Sequence, residues 1–218
     1  MVNESELLNL IQEAKKTDKE RKFKQALELY LVFKDIDVKK GFALNEVIQL
    51  PKKMAKPAAV CVMATGDMSL KAKNANADQV IDNTELTTLA ENKRESRKLI
   101  NKYDFFLADT KLMPVVGKSL GQLLGPRGKM PTPVPFNAPI DSFLERFKHS
   151  IRVRVKNSLS LSCKIGDETM DEKDLANNAM AVIHAIEKKL PSGDKNFKKF
   201  MIKTTMGKAI KLEQKVRK

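Results

Sequence analysis

Between residues 26 and 33 the chain alternates, with Leu27, Leu29, Leu31 and Phe33 on one side and Glu28 and Tyr30 on the other. A period of two belongs to a strand buried on one face only. Residues 43 to 50, ending at Pro51, read as a second strand, and strict alternation returns in Ile151-Arg152-Val153-Arg154-Val155-Lys156. The stretch between follows a different grammar. Ala58-Ala59-Val60-Cys61-Val62-Met63-Ala64 is a continuous apolar run, the pattern of a strand covered on both faces. Candidate strands at 79–81 and 104–109 then alternate with helical patterns, and an amphipathic helix around residues 140 to 148 closes the series. Such alternation points to a small parallel α/β unit set between two pieces of half-exposed sheet.

The flanking pieces carry the rest of a second body. Residues 5 to 20 read as an amphipathic helix with Leu7, Leu8, Leu10, Ile11 and Ala14 near one face. After the Ser-rich strand at 158–163, a helix fits residues 171 to 189, begun by Asp171 as N-cap and stopped by Pro191. Residues 198 to 204 and 209 to 213 read as two strands around a tight turn. One helix and two strands make too small a core to stand alone. The opening segment therefore recruits the end of the chain, giving a discontinuous α+β domain from residues 1–57 plus 150–218 and an inserted α/β domain at 58–149. Insertion of one domain into another is tolerated where chain ends lie close together.

Charge falls unequally on these two bodies. Lys and Arg total 41 against 27 Asp and Glu, a net +14. Residues 58–149 hold 13 basic and 10 acidic side chains, so most of the excess lies in the composite domain. Residues 195–218 alone hold nine basic residues and one acidic. A basic excess concentrated on one domain favours nucleic acid over simple solubility. No apolar run approaches the roughly 20 residues of a membrane span, and the start Met1-Val2-Asn3-Glu4 lacks a basic segment followed by an apolar one, so a cytoplasmic protein without a membrane partner is expected.

Catalytic and metal chemistry find little footing. Cys61 and Cys163 stand alone in apolar or small-residue surroundings and read as inert packing residues, and His149 and His184 have no neighbouring ligand spacing. No metal or cofactor is expected. Gly117-Lys118-Ser119 and Gly128-Lys129-Met130 invite a phosphate-loop reading, but the nucleotide-binding spacing demands glycine where Leu112 and Leu123 stand. No nucleophile with a base and an orienting group can be assembled. An α/β enzyme binding a nucleotide in the inserted domain is the competing reading, and a nonspecific basic chaperone is a third.

Candidate binding residues sit in the composite domain. Alternation puts Arg152, Arg154 and Lys156 on one strand face, either for phosphate contact or as a solvated surface. Lys203-Thr204-Thr205-Met206-Gly207-Lys208 is either a plain hairpin tip or a turn whose hydroxyls, thioether and bare glycine backbone meet a ligand. Phe23, within Arg21-Lys22-Phe23-Lys24, either stacks on RNA or caps the core.

Lys111-Leu112-Met113-Pro114-Val115-Val116-Gly117-Lys118 and Leu123-Leu124-Gly125-Pro126-Arg127-Gly128-Lys129-Met130-Pro131, with the Thr204-Thr205-Met206-Gly207 turn, Lys22-Phe23 followed by Glu28, and Lys164-Ile165-Gly166, resemble the ribosomal protein L-one family, the universal large-subunit stalk proteins, in its archaeal branch. The resemblance spans essentially the full chain. It implies a composite first domain and an inserted three-layer, Rossmann-like α/β domain, the architecture read above from periodicity. It implies binding without catalysis: the chain would grip a folded segment of large-subunit ribosomal RNA at the stalk, help deacylated transfer RNA leave the exit site, repress translation through its own messenger RNA, and be monomeric off the ribosome.

Carried over by position, Phe23 would pack on ribose and bases, Glu28 would accept bonds from a 2'-hydroxyl or base amine, Thr205-Met206-Gly207 would lie against one RNA strand, and Gly166 would support the neighbouring contact. Charge and strand face add Lys22, Arg152, Arg154, Lys156, Lys164 and Lys203 as phosphate candidates. Ala26 departs from the hydroxyl residue of some relatives. The 117–131 segment reads as a glycine-proline loop that either shapes its domain or touches RNA, and it is left outside the primary site.

Overall fold

The computed structural model describes residues 2–17, 19, 21–36, 42–135, 138–156 and 158–213. The chain divides into two compact units, Met1–Lys56 with His149–Lys218, and Pro57–Lys148. In chain order the first unit opens with helix α1 (Glu4–Lys16) and strands β1 (Ala26–Phe33) and β2 (Leu44–Gln49). The second unit follows with β3 (Val60–Met63), α2 (Asp67–Asn74), β4 (Gln79–Ile81), α3 (Asn83–Glu91), α4 (Lys93–Lys102), β5 (Phe105–Asp109), α5 (Met113–Ser119), α6 (Gly121–Arg127), β6 (Thr132–Val134) and α7 (Ile140–Lys148). The first unit then resumes with β7 (Ser150–Val155), β8 (Ser160–Asp167), α8 (Glu172–Glu187), β9 (Phe197–Thr204) and β10 (Ile210–Glu213).

In the first unit four antiparallel strands form a sheet of order β10-β9-β1-β8, and β2 pairs with β7 in a separate ribbon. β1 is central, and its burial alternates along its whole length. Leu27, Leu29, Leu31 and Phe33 face inward with Ile165, Phe200 and Ile202, and α1 and α8 cover them with Leu7, Ile11, Leu175 and Ile183 in one continuous core. Among the described residues of this unit, helices cover only one face of the sheet. Its other face carries Ala26, Glu28, Tyr30 and Val32, each partly exposed.

α1 starts in a capping box, in which the Asn3 side chain accepts from the Glu6 backbone and Glu6 returns the bond to the Asn3 N–H at 3.0 Å. The expected helix over 5 to 20 is shorter, and positions 18 and 20 lie outside the described residues. Lys215, Arg217 and Lys218, counted in the basic C-terminal stretch, lie outside them too.

Of the two register shifts in this sheet, one lies beside Glu28. The pairing of β1 with β8 slips between Leu27, opposite Gly166, and Glu28, opposite Lys164, so Ile165 is an extra residue. A bulge leaves its own backbone groups unpaired. Asn178, fully buried in α8, donates to the Ile165 carbonyl at 2.9 Å and also brackets Lys52, accepting from its N–H at 2.9 Å and donating to its carbonyl at 3.2 Å. A polar side chain inside an apolar helix face is tolerated because all three of these bonds are made.

The second unit is the three-layer α/β body, a parallel sheet of order β4-β3-β5-β6. Every residue of β3 and β5 is buried, as a continuous apolar run requires. Cys61, Met63, Phe106 and Ala108 pack with Leu86, Ile100, Val116 and Leu124 of α3 to α6. On the opposite face Phe105 meets Phe147 of α7 edge-on at 5.3 Å between ring centres. β6 escaped the sequence reading because Pro131, Pro133 and Pro135 argue against a strand. It lies at the sheet edge, paired only with β5, where proline's missing donor faces no partner.

The 117–131 segment, expected as a glycine-proline loop, is instead mostly helical. Pro114 sits in the first turn of α5, where a helix tolerates it. Gly128 ends α6 in the left-handed conformation, at φ +69°. Lys129 then donates to the carbonyls of Ile100 and Tyr103 at 3.0 and 2.6 Å, capping the end of α4. Its place in the motif is explained by packing within this unit.

Candidate nucleic-acid interface

The outward face of the four-stranded sheet gathers most of the expected residues. Register places Glu28 of β1 between Lys164 of β8 and Lys203 of β9. Both lysines have contacts other than Glu28. Lys164 pairs with Asp167 at 2.6 Å, since the bulge turns residues 164 and 167 to the same side, and Lys203 bonds the Thr205 carbonyl at 3.2 Å while lying 5.7 Å from the Tyr30 ring centre. Glu28 instead accepts from the Tyr30 hydroxyl at 2.8 Å. Only Oε2 of the carboxylate is taken this way, so Oε1 remains an acceptor for a donor arriving from outside.

At the end of the sheet, Thr204 to Gly207 form a turn closed by the Gly207 N–H on the Thr204 carbonyl at 3.2 Å. Thr205 holds this turn to β1. Its N–H donates to the Ala26 carbonyl at 3.0 Å, and its hydroxyl accepts from the Ala26 N–H at 3.1 Å. The Met206 N–H donates to Oε1 of the buried Gln25 at 3.1 Å. The Thr205 hydroxyl, expected to meet RNA, therefore has a structural partner, and its part is to fix the turn against the segment that carries Phe23. Gly207 is not one of the left-handed glycines of the described residues, which are Gly66, Gly128 and Gly193, so the turn does not itself demand glycine there.

Two large apolar side chains stand in water at this end, Phe23 half exposed and Met206 at 61%. Single exposed apolar groups are ordinary on a protein surface, but two at one end of a basic unit are open to a partner. Phe23 does not cap the core.

The remaining candidates fall elsewhere. Gly166 is buried, and a Cβ there would lie 2.7 Å from Met170 Sδ and closer still to Leu175, so the ends of these two side chains fill the space a larger residue would need. Arg152 and Arg154 lie on the β2–β7 ribbon, opposite Val47 and Asn45, and are not on the Glu28 sheet. Arg152 is only partly exposed; burial, and then neighbouring Arg154, lower its pKa. Lys156 lies beyond the last residue of β7, exposed, as is Lys22.

Sequence reasoning missed Tyr30, although the alternation of β1 had already set it beside Glu28. It also missed Ser162 and Met201, the register partners of Tyr30 on either side. Burial pushes Cys163 up to about 12, with Glu28 adding to the effect, and pushes Cys61 up to about 12 as well, so both thiols stay protonated packing groups. Among the described residues no cluster of three His, Cys, Asp or Glu is placed to hold a metal ion, and no helix is long and apolar enough to cross a membrane.

The chain is similar to the large ribosomal subunit protein uL1 of Cenarchaeum symbiosum, 65% identical over 211 residues and 97% of each chain. Proteins of the same name from Thermofilum pendens and Methanothermobacter thermautotrophicus are 45% and 37% identical, covering 91% and 96% of this chain and 88% and 99% of their own. The family model described as the ribosomal protein L1p/L10e family matches residues 12–208, so the chain belongs to that family.

Proposed function

We propose that the chain is a structural RNA-binding protein of the large ribosomal subunit, gripping the ribosomal RNA of the stalk with the outward face of its four-stranded sheet. The observation that carries this reading is one tethered surface at the sheet end: Phe23 and Met206 exposed, and Glu28 held by Tyr30 between two lysines. An aromatic ring and a thioether stack on bases and sugars, while the carboxylate accepts from a 2'-hydroxyl or base amine and repels a phosphate. A carboxylate within a basic domain gives selectivity at some cost in affinity. Phosphate attraction comes from exposed Lys22, Arg154 and Lys156, with Lys203 nearer the turn. The names and coverage of the relatives support the ribosomal setting.

On this reading the protein works in the cytoplasm on the ribosome, holds RNA without transforming it, and helps deacylated transfer RNA leave the exit site. The same face takes a like fold in its own messenger RNA and represses translation. A competition titration of the full chain tests the reading, using the large-subunit stalk fragment against an unrelated folded RNA of equal length at moderate and high salt. Preference for the stalk fragment that persists at high salt is expected, because phosphate contacts weaken steeply with salt and shape contacts less. Equal binding of both RNAs would overturn it.

A further inference from the structure

The second unit has its own concentration of positive charge. α4 holds five of that unit's basic residues in ten positions, against the single acid Glu95. Lys93, Arg94, Arg97, Lys98 and Lys102 are all exposed, while Ser96 and Ile100 turn inward. At 100° per residue the five cover one continuous half of the helix, in two rows four residues apart: Lys93 with Arg97, and Arg94 with Lys98 and Lys102. Each row advances about 6 Å per step. Like charges four apart repel and weaken a helix. Among the described residues none of Lys93, Arg94, Arg97 and Lys98 is in an ion pair.

The helix is nonetheless held at both ends. Asn92 accepts from the Glu95 N–H at 3.4 Å, and Lys129, itself a cation, closes the far end on Ile100 and Tyr103. Ser96 donates to Leu89 and Asn92 carbonyls, fixing the rotation of α4 about its axis. The result is a rigid, uncompensated cationic surface. The exposed large apolar side chains of the described residues are Phe23, Leu70, Met130 and Met206, none of them on α4, so this helix has nothing to insert into a lipid surface and no ring to stack on a base. Evenly spaced cations on a fixed helix suit a regular row of phosphates.

We propose that the outward face of α4 is a second RNA contact, on the inserted unit, that grips the phosphate backbone of an RNA duplex without reading its sequence. It does not depend on the sheet-face reading. The test uses the full chain, wild type against R94Q/R97Q/K98Q, titrated with a 20-base-pair RNA duplex of arbitrary sequence over a salt series. The variant is expected to bind about tenfold more weakly at low salt, with its log–log salt slope shallower by about 2 to 3, on the order of one per lost phosphate contact.

R94K/R97K keeps the charge and is expected to bind like wild type, and the melting temperature of the glutamine variant should equal or exceed that of wild type because repulsion is removed. Unchanged duplex affinity and slope would overturn the proposal. A lower melting temperature with the same duplex affinity per folded molecule would assign α4 a scaffold role, and loss of binding to phosphatidylserine vesicles with RNA binding intact would assign it a membrane role; either also overturns it. The stalk-fragment titration fails or succeeds separately, since it reads the preference of the unmodified chain for one RNA over another, which a contact blind to sequence does not supply.

Discussion

Tyr30 donates its phenol hydrogen to Oε2 of Glu28, two residues before it on the same face of β1, at 2.8 Å. The bond fixes a carboxylate that the register sets between two lysines, and it raises the Tyr30 pKa above 10.0, first through the hydrogen bond, then through burial and the Glu28 charge. E28Q should bring the tyrosinate transition back toward the ordinary value, followed by ultraviolet absorbance against the only other tyrosine, Tyr103. A raised folded-state pKa means that this contribution to stability is complete below pH 10 and is lost as pH rises through the folded value. Y30F should keep the fold, free the carboxylate, and reduce preference for stalk RNA over a competitor by several-fold. A Y30F protein with unchanged preference would show that Glu28 needs no positioning.

T205V and M206A should separate two kinds of residue at one turn. Valine removes the hydroxyl that accepts from the Ala26 N–H, and stability should fall by about 1 kcal/mol, as expected for one hydrogen bond. M206A removes a side chain that is 61% exposed, so chemical denaturation should be unchanged while stalk-RNA affinity falls. A good specific contact is worth roughly 1–3 kcal/mol, by extension from base readout on DNA. Equal RNA affinity for M206A and wild type would remove Met206 from the interface.

The strands of the first unit were legible because one-sided burial writes a period of two, and β1 runs from Ala26 to Phe33 as read. Its neighbours were not legible. Nothing local to residues 26–33 states that β8 and β9 flank it, so the meeting of Glu28 with Lys164 and Lys203 is a property of the closed sheet. The bulge at Ile165 is likewise invisible, since its carbonyl is answered by Asn178 from a helix whose periodicity marks that position as core. Glycine and proline misled in both directions, hiding β6 and two helical turns of α5 and α6 behind residues usually read as breakers. Gly166 was assigned to the RNA side by resemblance, whereas its neighbours Met170 and Leu175 place its missing side chain in the core.

That placement makes G166A informative. A methyl group 2.7 Å from Met170 Sδ makes the ends of the Met170 and Leu175 side chains shift, at a cost of about 1 kcal/mol, the low end for overpacking. Urea denaturation should show the loss, while stalk-RNA affinity per folded molecule stays near wild type. Weakened binding at unchanged stability would instead return Gly166 to the RNA surface.

Asn178 ties the packing of α8 to the bulge beside the proposed RNA face. Its amide answers three backbone groups, and N178L would leave the buried Ile165 carbonyl, and the N–H and carbonyl of the more exposed Lys52, without that partner. An orphaned buried group costs about 1–3 kcal/mol, so the Ile165 carbonyl alone should destabilise the variant by about that much even though leucine suits a helix interior. The Ile165 bulge sets the side on which Lys164 and Asp167 meet, so the residual folded protein should also lose part of its preference for stalk RNA. Measured at low temperature with matched folded fraction, a normal preference would mean that the sheet face holds its shape without the bulge being pinned, and that Asn178 serves stability alone.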